Sequence, residues 1–219
     1  MTGTRALAVL AIAMTLAACQ GSSAATAPNS LTPQSITLQL GGVPGVQRCD
    51  ASGDVTAVLS NERAQRSPAY DMHATEWEQW KRRGAVQAYF AVYGRTAADC
   101  AAASDSSTGA PRGGVMVGLV VQFQDTMGAA RNFQSDSTLM GLGPKNIRFV
   151  ELAGGATIFG PDTGLGTDSV VGRAVVGGAQ YFVAMWQSSR FESDFMGYDM
   201  AFADADSAVK GMNRRIQGG

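Results

Sequence analysis

The sequence predicts an α+β domain built on one mostly antiparallel sheet, with helices packed on one of its faces. Apolar residues alternate with other residues over 85–93 and 115–124, a spacing typical of strands that bury one side. Two further strands, 170–176 and 180–187, flank Gly177-Gly178, a dipeptide expected at a tight hairpin turn. Helical patterns follow pairs of strands rather than single strands, and this order favours antiparallel pairing.

The remaining elements of the first half are predicted from shorter patterns. Residues 36–40 are expected to open the folded part of the chain and to end at a turn over 41–45, and residues 56–66 have weak helical character. After the strand at 115–124, Asp125 is expected to cap a helix that buries Ala129 and Phe133 on one side.

A helix is also expected to begin at Thr75. Thr75 and Glu78 have the spacing of a capping box, and Gly84 supplies a helix stop. Trp77 and Trp80 share one side of this helix, because residues three apart are neighbours on a helix surface. The pair is interpreted as an anchor that holds the helix on the sheet, with an aromatic ligand platform as the alternative.

The second half of the chain is predicted to repeat this scheme. Short strands are expected at 147–152, 156–159 and 191–203. Asp204 is predicted to cap a final amphipathic helix, and Arg214 and Arg215 complement the helix dipole at its end. Because each half contains paired strands followed by an Asp-capped helix, the sequence suggests a two-half internal pseudo-repeat.

Composition excludes several classes of protein. The chain has 219 residues, 17 Lys and Arg against 18 Asp and Glu, and only 16% charged residues. A near-neutral chain lacks the basic face that nucleic-acid binding requires, so no nucleic-acid partner is expected. The single histidine, His73, excludes a metal site with several histidines, and no motif indicates a metal or cofactor. The length suits one sizeable core.

The amino terminus has the features of a secretory leader. Arg5 precedes an apolar run over residues 6–18, which is too short to span a bilayer as a helix. The segment Leu16-Ala17-Ala18-Cys19 resembles the bacterial lipobox, which implies cleavage before Cys19 and attachment of lipid, including an acyl chain such as palmitate, to that cysteine. The alternative is an ordinary signal peptide with a chance cysteine.

The leader divides the chain into three predicted parts. They are a signal peptide over 1–18, lipidated Cys19 with a flexible tether to residue 35, and a single globular α+β domain over 36–219. The expected location is the extracytoplasmic side of the cell membrane or outer membrane, held there by the lipid. Gln20 does not resemble the Asp of an inner-membrane retention signal.

The other two cysteines form an even pair once Cys19 is assigned to lipid. In an oxidising compartment, Cys49 and Cys100 are expected to form a disulfide that closes a loop of about 50 residues. Two free thiols are the alternative.

Candidate site residues are few. Five aromatic residues cluster around one strand and its exit, where they could line a ligand cleft, although core packing explains them as well: Tyr181, Trp186, Phe191, Phe195 and Tyr198. Asp162-Thr163-Gly164 matches an aspartic-protease triplet, but that chemistry requires two such loops and the chain contains one. No catalytic residue is therefore predicted.

Four segments together resemble a known class of domain. The stretch 123–133, the turn 164–169, the strand 180–190 and the final helix resemble parts of α+β extracellular lipoproteins, including the extracellular sensor domains of some mycobacterial receptor kinases. Those sensor domains contain two disulfides, whereas this chain allows one. The resemblance implies sensing or binding outside the membrane and brings no catalytic residues with it.

The expected function is non-enzymatic binding of a small ligand or an envelope protein at the outer face of the membrane. Two alternatives from other classes stay open. A hydrolase that uses carboxylates would need two acids converging in one pocket, and a structural or assembly lipoprotein would present a large exposed apolar patch.

Overall fold

Eight antiparallel strands form one sheet in the computed structural model, which describes residues 31–39, 45–104, 113–135 and 147–218. The sheet order is β1-β3-β4-β8-β7-β6-β5, and β2 also pairs with β3. The strands are β1 (Gln47–Arg48), β2 (Gly53–Asp54), β3 (Ala85–Gly94), β4 (Val115–Phe123), β5 (Ala156–Phe159), β6 (Ser169–Val176), β7 (Ala179–Ser188) and β8 (Phe191–Tyr198). The predicted α+β class with an antiparallel sheet is confirmed.

Seven α-helices pack around this sheet within the described part of the chain. They are α1 (Pro33–Ile36), α2 (Val55–Ala64), α3 (Tyr70–Arg82), α4 (Ala97–Ser104), α5 (Thr126–Ser135), α6 (Arg148–Leu152) and α7 (Phe202–Gln217). Helices α1 and α7 lie on one side of the sheet, here called the α7 face. Helices α2 to α6 lie on the other side, here called the α5 face.

The helices therefore cover both faces, whereas the sequence predicted helices on one face. The reason is visible in β7, where Phe182, Ala184 and Trp186 pack under α7 while Val183 and Met185 pack on the α5 face. Strands buried on both sides are apolar at successive positions, and a helical layer must then cover each side.

The predicted pseudo-repeat also differs from the structure in its helices. Helix α5 follows the β3–β4 hairpin and packs through Ala129 and Phe133 on the α5 face. Helix α7 follows the β7–β8 hairpin and packs on the opposite face. A two-fold axis perpendicular to the sheet would leave both helices on one face, so the two halves are not related in that way.

The strand predictions with the longest alternating patterns are confirmed. Strands β3 and β4 pair along their length from Ala85↔Phe123 to Gly94↔Val115, with one irregularity near Gln87. The β6–β7 hairpin turns at Gly177 and Gly178, whose φ values of 59° and 88° are accessible to glycine without strain.

One predicted strand is a helix in the structure. Residues 147–152 contain α6, because Ile147 and Val150 are three residues apart and both point into the core on one side of a helical turn. Helix α1 ends at Ile36, the residue at which the folded part of the chain was expected to open. Thr32 caps α1 through a reciprocal capping box with Ser35. The residues described from Leu31 onward thus fold against the sheet, a few positions before the predicted domain boundary.

Two predicted helix starts lie inside helices. Helix α3 begins at Tyr70, and the Thr75 hydroxyl donates to the carbonyl of Asp71 one turn earlier, so the capping box does not form. Helix α7 begins at Phe202, whose N–H donates to the Gln180 side chain, and Asp204 lies in the first turn. The Asp125 prediction holds, because its carboxylate accepts from the Gly128 N–H at 2.7 Å.

The Cys49–Cys100 disulfide is present, with a Cα–Cα distance of 5.3 Å. It joins the turn after β1 to α4, and it lies beside buried Val92 and Val115. Cys100 and Ala103 of α4 pack against this cluster, so the covalent link and these contacts together hold the helix on the sheet. Across the described ranges, no helix is both long enough and apolar enough to cross a membrane.

Candidate functional site

The five aromatic residues that could line a ligand cleft or pack in the core do not lie together. Trp186, Phe191 and Phe195 are buried in the core beneath α7. Tyr181 and Tyr198 lie on the other face, where their rings meet edge to face at 4.5 Å. Strand alternation separates the two groups, and packing accounts for both.

The alternative of a structural or assembly protein depended on one exposed apolar patch. The most exposed large apolar residues near the β5 edge are Leu152 at 89%, Val175 at 57% and Phe159 at 55%. The registers of β5 and β6 place Phe159 and Val175 on opposite sides of the sheet. These residues therefore do not form a single face.

A buried polar network lies on the α5 face. Glu192 and Asp194 are two residues apart on β8, and both side chains are 2% exposed. The Asn132 side chain of α5 donates from Nδ2 to Glu192 Oε2 at 2.8 Å and accepts from Arg83 Nη1 at 2.8 Å. The network ties α5 to the central strand β8 and to the residue that follows α3.

Burial and the nearby Asp194 carboxylate raise the pKa of Glu192 well above its usual range. The Asn132 hydrogen bond and the Arg83 charge act in the opposite direction, and they are the smaller effects. The alternation Phe191-Glu192-Ser193-Asp194-Phe195 places the two acids on one side of a strand, so the sequence contained a signal for this pair. Their burial depends on α5 and was not predicted.

An open groove of about 410 Å³ lies between the start of α1 and the end of α7. Its lining is Leu31, Ser35, Gly211, Arg214, Arg215 and Gly218. The two glycines leave room along α7, since neither presents a side chain. The described lining contains two cationic side chains and no carboxylate.

The guanidinium groups of Arg214 and Arg215 converge over Gly211. A Cβ atom placed on Gly211 would lie 3.5 Å from Arg215 Nη1 and 3.9 Å from Arg214 Nη2. Arg215 is held in place by α1, because its Nε and Nη2 donate to the carbonyls of Ile36 and Thr37 at 2.8 Å each. Arg214 is exposed to solvent.

The electrostatics of the groove favour an anion. Partial burial lowers the pKa of Arg215, and the neighbouring charge of Arg214 lowers it further, against an opposite effect of Tyr93. Among the described residues, no carboxylate forms an ion pair with either arginine. A bound anion would relieve the repulsion and accept hydrogen bonds from both guanidinium groups. The sequence indicated these arginines only as partners of the helix dipole.

The remaining residues that the sequence analysis considered are His73, the triplet at 162–164 and Cys19. His73 Nδ1 lies 2.8 Å from Glu62 Oε1, which joins α3 to α2. Thr163, of the protease-like triplet, bonds through its hydroxyl to Ser169 and Gly160 within a turn. The described residues contain no cluster of potential metal ligands. Cys19 lies outside the described residues.

Comparisons with known proteins give one structural likeness. No family model and no curated protein matches the chain. The extracellular domain of PknH from Mycobacterium tuberculosis is similar over 85% of this chain and 95% of that chain, with 10% sequence identity and a TM-score of 0.46. Similarity at this level carries no argument about ligand or role.

Proposed function

We propose that this protein is a lipid-anchored, extracytoplasmic module that binds an anionic ligand in the groove between α1 and α7. The convergence of the Arg214 and Arg215 guanidinium groups over Gly211 is the observation that carries the proposal. Within the described residues neither guanidinium group has a carboxylate partner, so both can donate to the oxygens of a phosphate or carboxylate. The role assigned to the protein is binding, without chemical conversion of the ligand.

The disulfide supports an extracytoplasmic location. Disulfides persist in oxidising compartments and are rare in the cytosol of most organisms. The chain has three cysteines, and the Cys49–Cys100 bond leaves Cys19 free for lipid attachment. The proposed organisation is a leader over 1–18, a lipidated Cys19 with a tether, and one folded domain.

Binding accounts for the structure better than carboxylate-based hydrolysis. A hydrolase of that kind needs two acids that a substrate can reach. Glu192 and Asp194 do converge, but both are 2% exposed, and Glu192 is occupied by Asn132. A pair enclosed in this way has a structural role, in attaching α5 to the sheet.

Inorganic phosphate is the probe for anion binding. Titration at millimolar concentrations, followed by NMR, is expected to shift the amide signals of Gly211 and Gly218. Arg214→Gln should weaken this binding about tenfold, because a hydrogen bond to a charged group contributes roughly 1.5–3 kcal/mol. Arg63→Gln is the matched control. Arg63 is exposed on α2, so this substitution removes the same charge at a position away from the groove. Equal losses in both variants, or no shift at either glycine, would reject the groove as an anion site.

Lipid attachment is tested separately. Cys19→Ser is expected to move the protein from the membrane fraction to the soluble extracytoplasmic fraction, because the acyl chains that hold it can no longer be attached. Cell fractionation followed by immunoblotting measures this change. Ser22→Ala, a change in the predicted tether that leaves Cys19 and the disulfide intact, serves as the control. Full membrane retention of the Cys19→Ser protein would contradict the lipobox assignment.

A further inference from the structure

We infer that the anion bound in this groove is the phosphate-bearing headgroup of an anionic lipid in the membrane that anchors the protein, and that this contact orients the domain on the bilayer. The inference rests on the proposed function, because it requires both the anchor and the anion site. It adds the identity of the ligand and a role for binding it.

The first reason is the position of the groove along the chain. Leu31 lines the groove and is also the first described residue after the predicted tether. Cys19 precedes Leu31 by 12 residues (31 − 19). Twelve residues span at most about 40 Å when fully extended. The groove therefore stays within that reach of a lipidated Cys19.

The second reason is the strength of binding that such a groove can provide. The groove is open, Arg214 is exposed, and Arg215 already donates two hydrogen bonds to α1 carbonyls. A dilute soluble anion would bind weakly at such a site, because water competes for the exposed guanidinium group. A short tether holds the site near the bilayer at a millimolar effective concentration, which makes weak binding sufficient.

The third reason is the charge of the whole chain. Its formal net charge is −1, so the protein as a whole is not attracted to an anionic surface. Attraction must come from a local cationic site, and a local site contacts the surface in one orientation. Leu31 packs against the core beneath α7, so Arg214 and Arg215 are the groups in the groove that a lipid headgroup would contact.

The test uses residues 19–219 with Cys19→Ser, a chain that retains every described residue and carries no lipid. Its co-sedimentation is measured with vesicles of phosphatidylcholine, and with vesicles of equal parts phosphatidylcholine and phosphatidylglycerol, at millimolar lipid. Binding is expected only with phosphatidylglycerol. Arg214→Gln should lower the partition coefficient about fivefold, because one basic residue near an anionic surface strengthens membrane binding by about that factor. Arg63→Gln should leave it unchanged.

Two results would overturn the inference. In the first, Arg63→Gln lowers vesicle binding as much as Arg214→Gln does, which would show attraction that does not involve the groove. In the second, free glycerol phosphate shifts the Gly211 and Gly218 amides while phosphatidylglycerol vesicles do not bind the protein. That second result would leave anion binding intact and assign the groove to a soluble ligand instead. Failure of both the glycerol phosphate and the vesicle experiments would reject the proposed function as well.

Discussion

Replacement of Cys49 and Cys100 by alanine is expected to lower the free energy of unfolding by about 4 kcal/mol. The bond joins residues 51 positions apart, and closing a loop of that length restricts the unfolded chain by about this amount in the chain-entropy model. Both half-cystines also pack in the cluster around Val92 and Val115, so their loss removes buried contacts. Urea unfolding followed by Trp fluorescence measures the change.

The single variants provide the control for this prediction. Cys49→Ala and Cys100→Ala should each lose nearly as much stability as the double variant, because either change breaks the bond. Cys19→Ser should leave the free energy of unfolding unaltered, since Cys19 does not take part. A loss below about 1 kcal/mol in the double variant would mean that the unfolded state is constrained in some other way.

The second large effect concerns Glu192 and pH. The folded protein raises the pKa of Glu192, so it keeps a proton at pH values where the unfolded chain has released it. Stability therefore decreases as pH rises above the ordinary pKa of glutamate, until the raised pKa is passed. The slope contributed by this proton is at most about 1.4 kcal/mol per pH unit. Urea unfolding between pH 4 and pH 9 should show this contribution.

Glu192→Gln isolates that contribution. The Gln side chain keeps an oxygen that accepts from Asn132, but it has no proton to release in the unfolded chain and cannot ionise beside Asp194 on β8. Arg83 faces Glu192 from the end of α3 and stays bonded to Asn132. We expect the variant to gain at least about 1 kcal/mol at pH 8 and little at pH 4, because one pKa unit corresponds to about that energy.

An exposed glutamate is the matched comparison for Glu192. Glu78 pairs with Lys81 on the surface of α3, so Glu78→Gln should change stability by a few tenths of a kcal/mol at every pH. If Glu192→Gln and Glu78→Gln had the same pH profile, burial of the Glu192 charge could not be a source of instability. The prediction would then be wrong.

Strands with long alternating patterns could be predicted from the chain, whereas short apolar segments were predicted unevenly: the strand at 156–159 is confirmed as β5, and the one at 147–152 is a helix. The pattern over 85–93 repeats often enough to distinguish a period of two from a helical period. Ile147 and Val150 fit either a strand or one helical turn, and packing against Val170 and Ala174 decides for the helix. Thr75 and Glu78 have the spacing of a capping box, but α3 begins at Tyr70, so both residues lie inside the helix.

The groove could not be predicted because it depends on contacts between distant parts of the chain. Arg215 bonds to the carbonyl of Ile36 across 179 residues, and that contact places its guanidinium group over Gly211. In the sequence, Arg214 and Arg215 are only the basic end of a helix. The Glu192 network similarly needs Asn132, which is 60 residues away, before its carboxylate is buried.

The sequence by itself determined the α+β class, the Gly177-Gly178 hairpin and the pairing of Cys49 with Cys100. These depend on local backbone preference, on the period of apolar residues, and on the count of cysteines. Only the tertiary structure decided that β4 lies beside β8, that helices cover both faces, and that α1 meets α7 at a cationic groove. Those features arise from the burial of apolar surfaces that are far apart in the chain, and local patterns do not specify which distant surface each will meet.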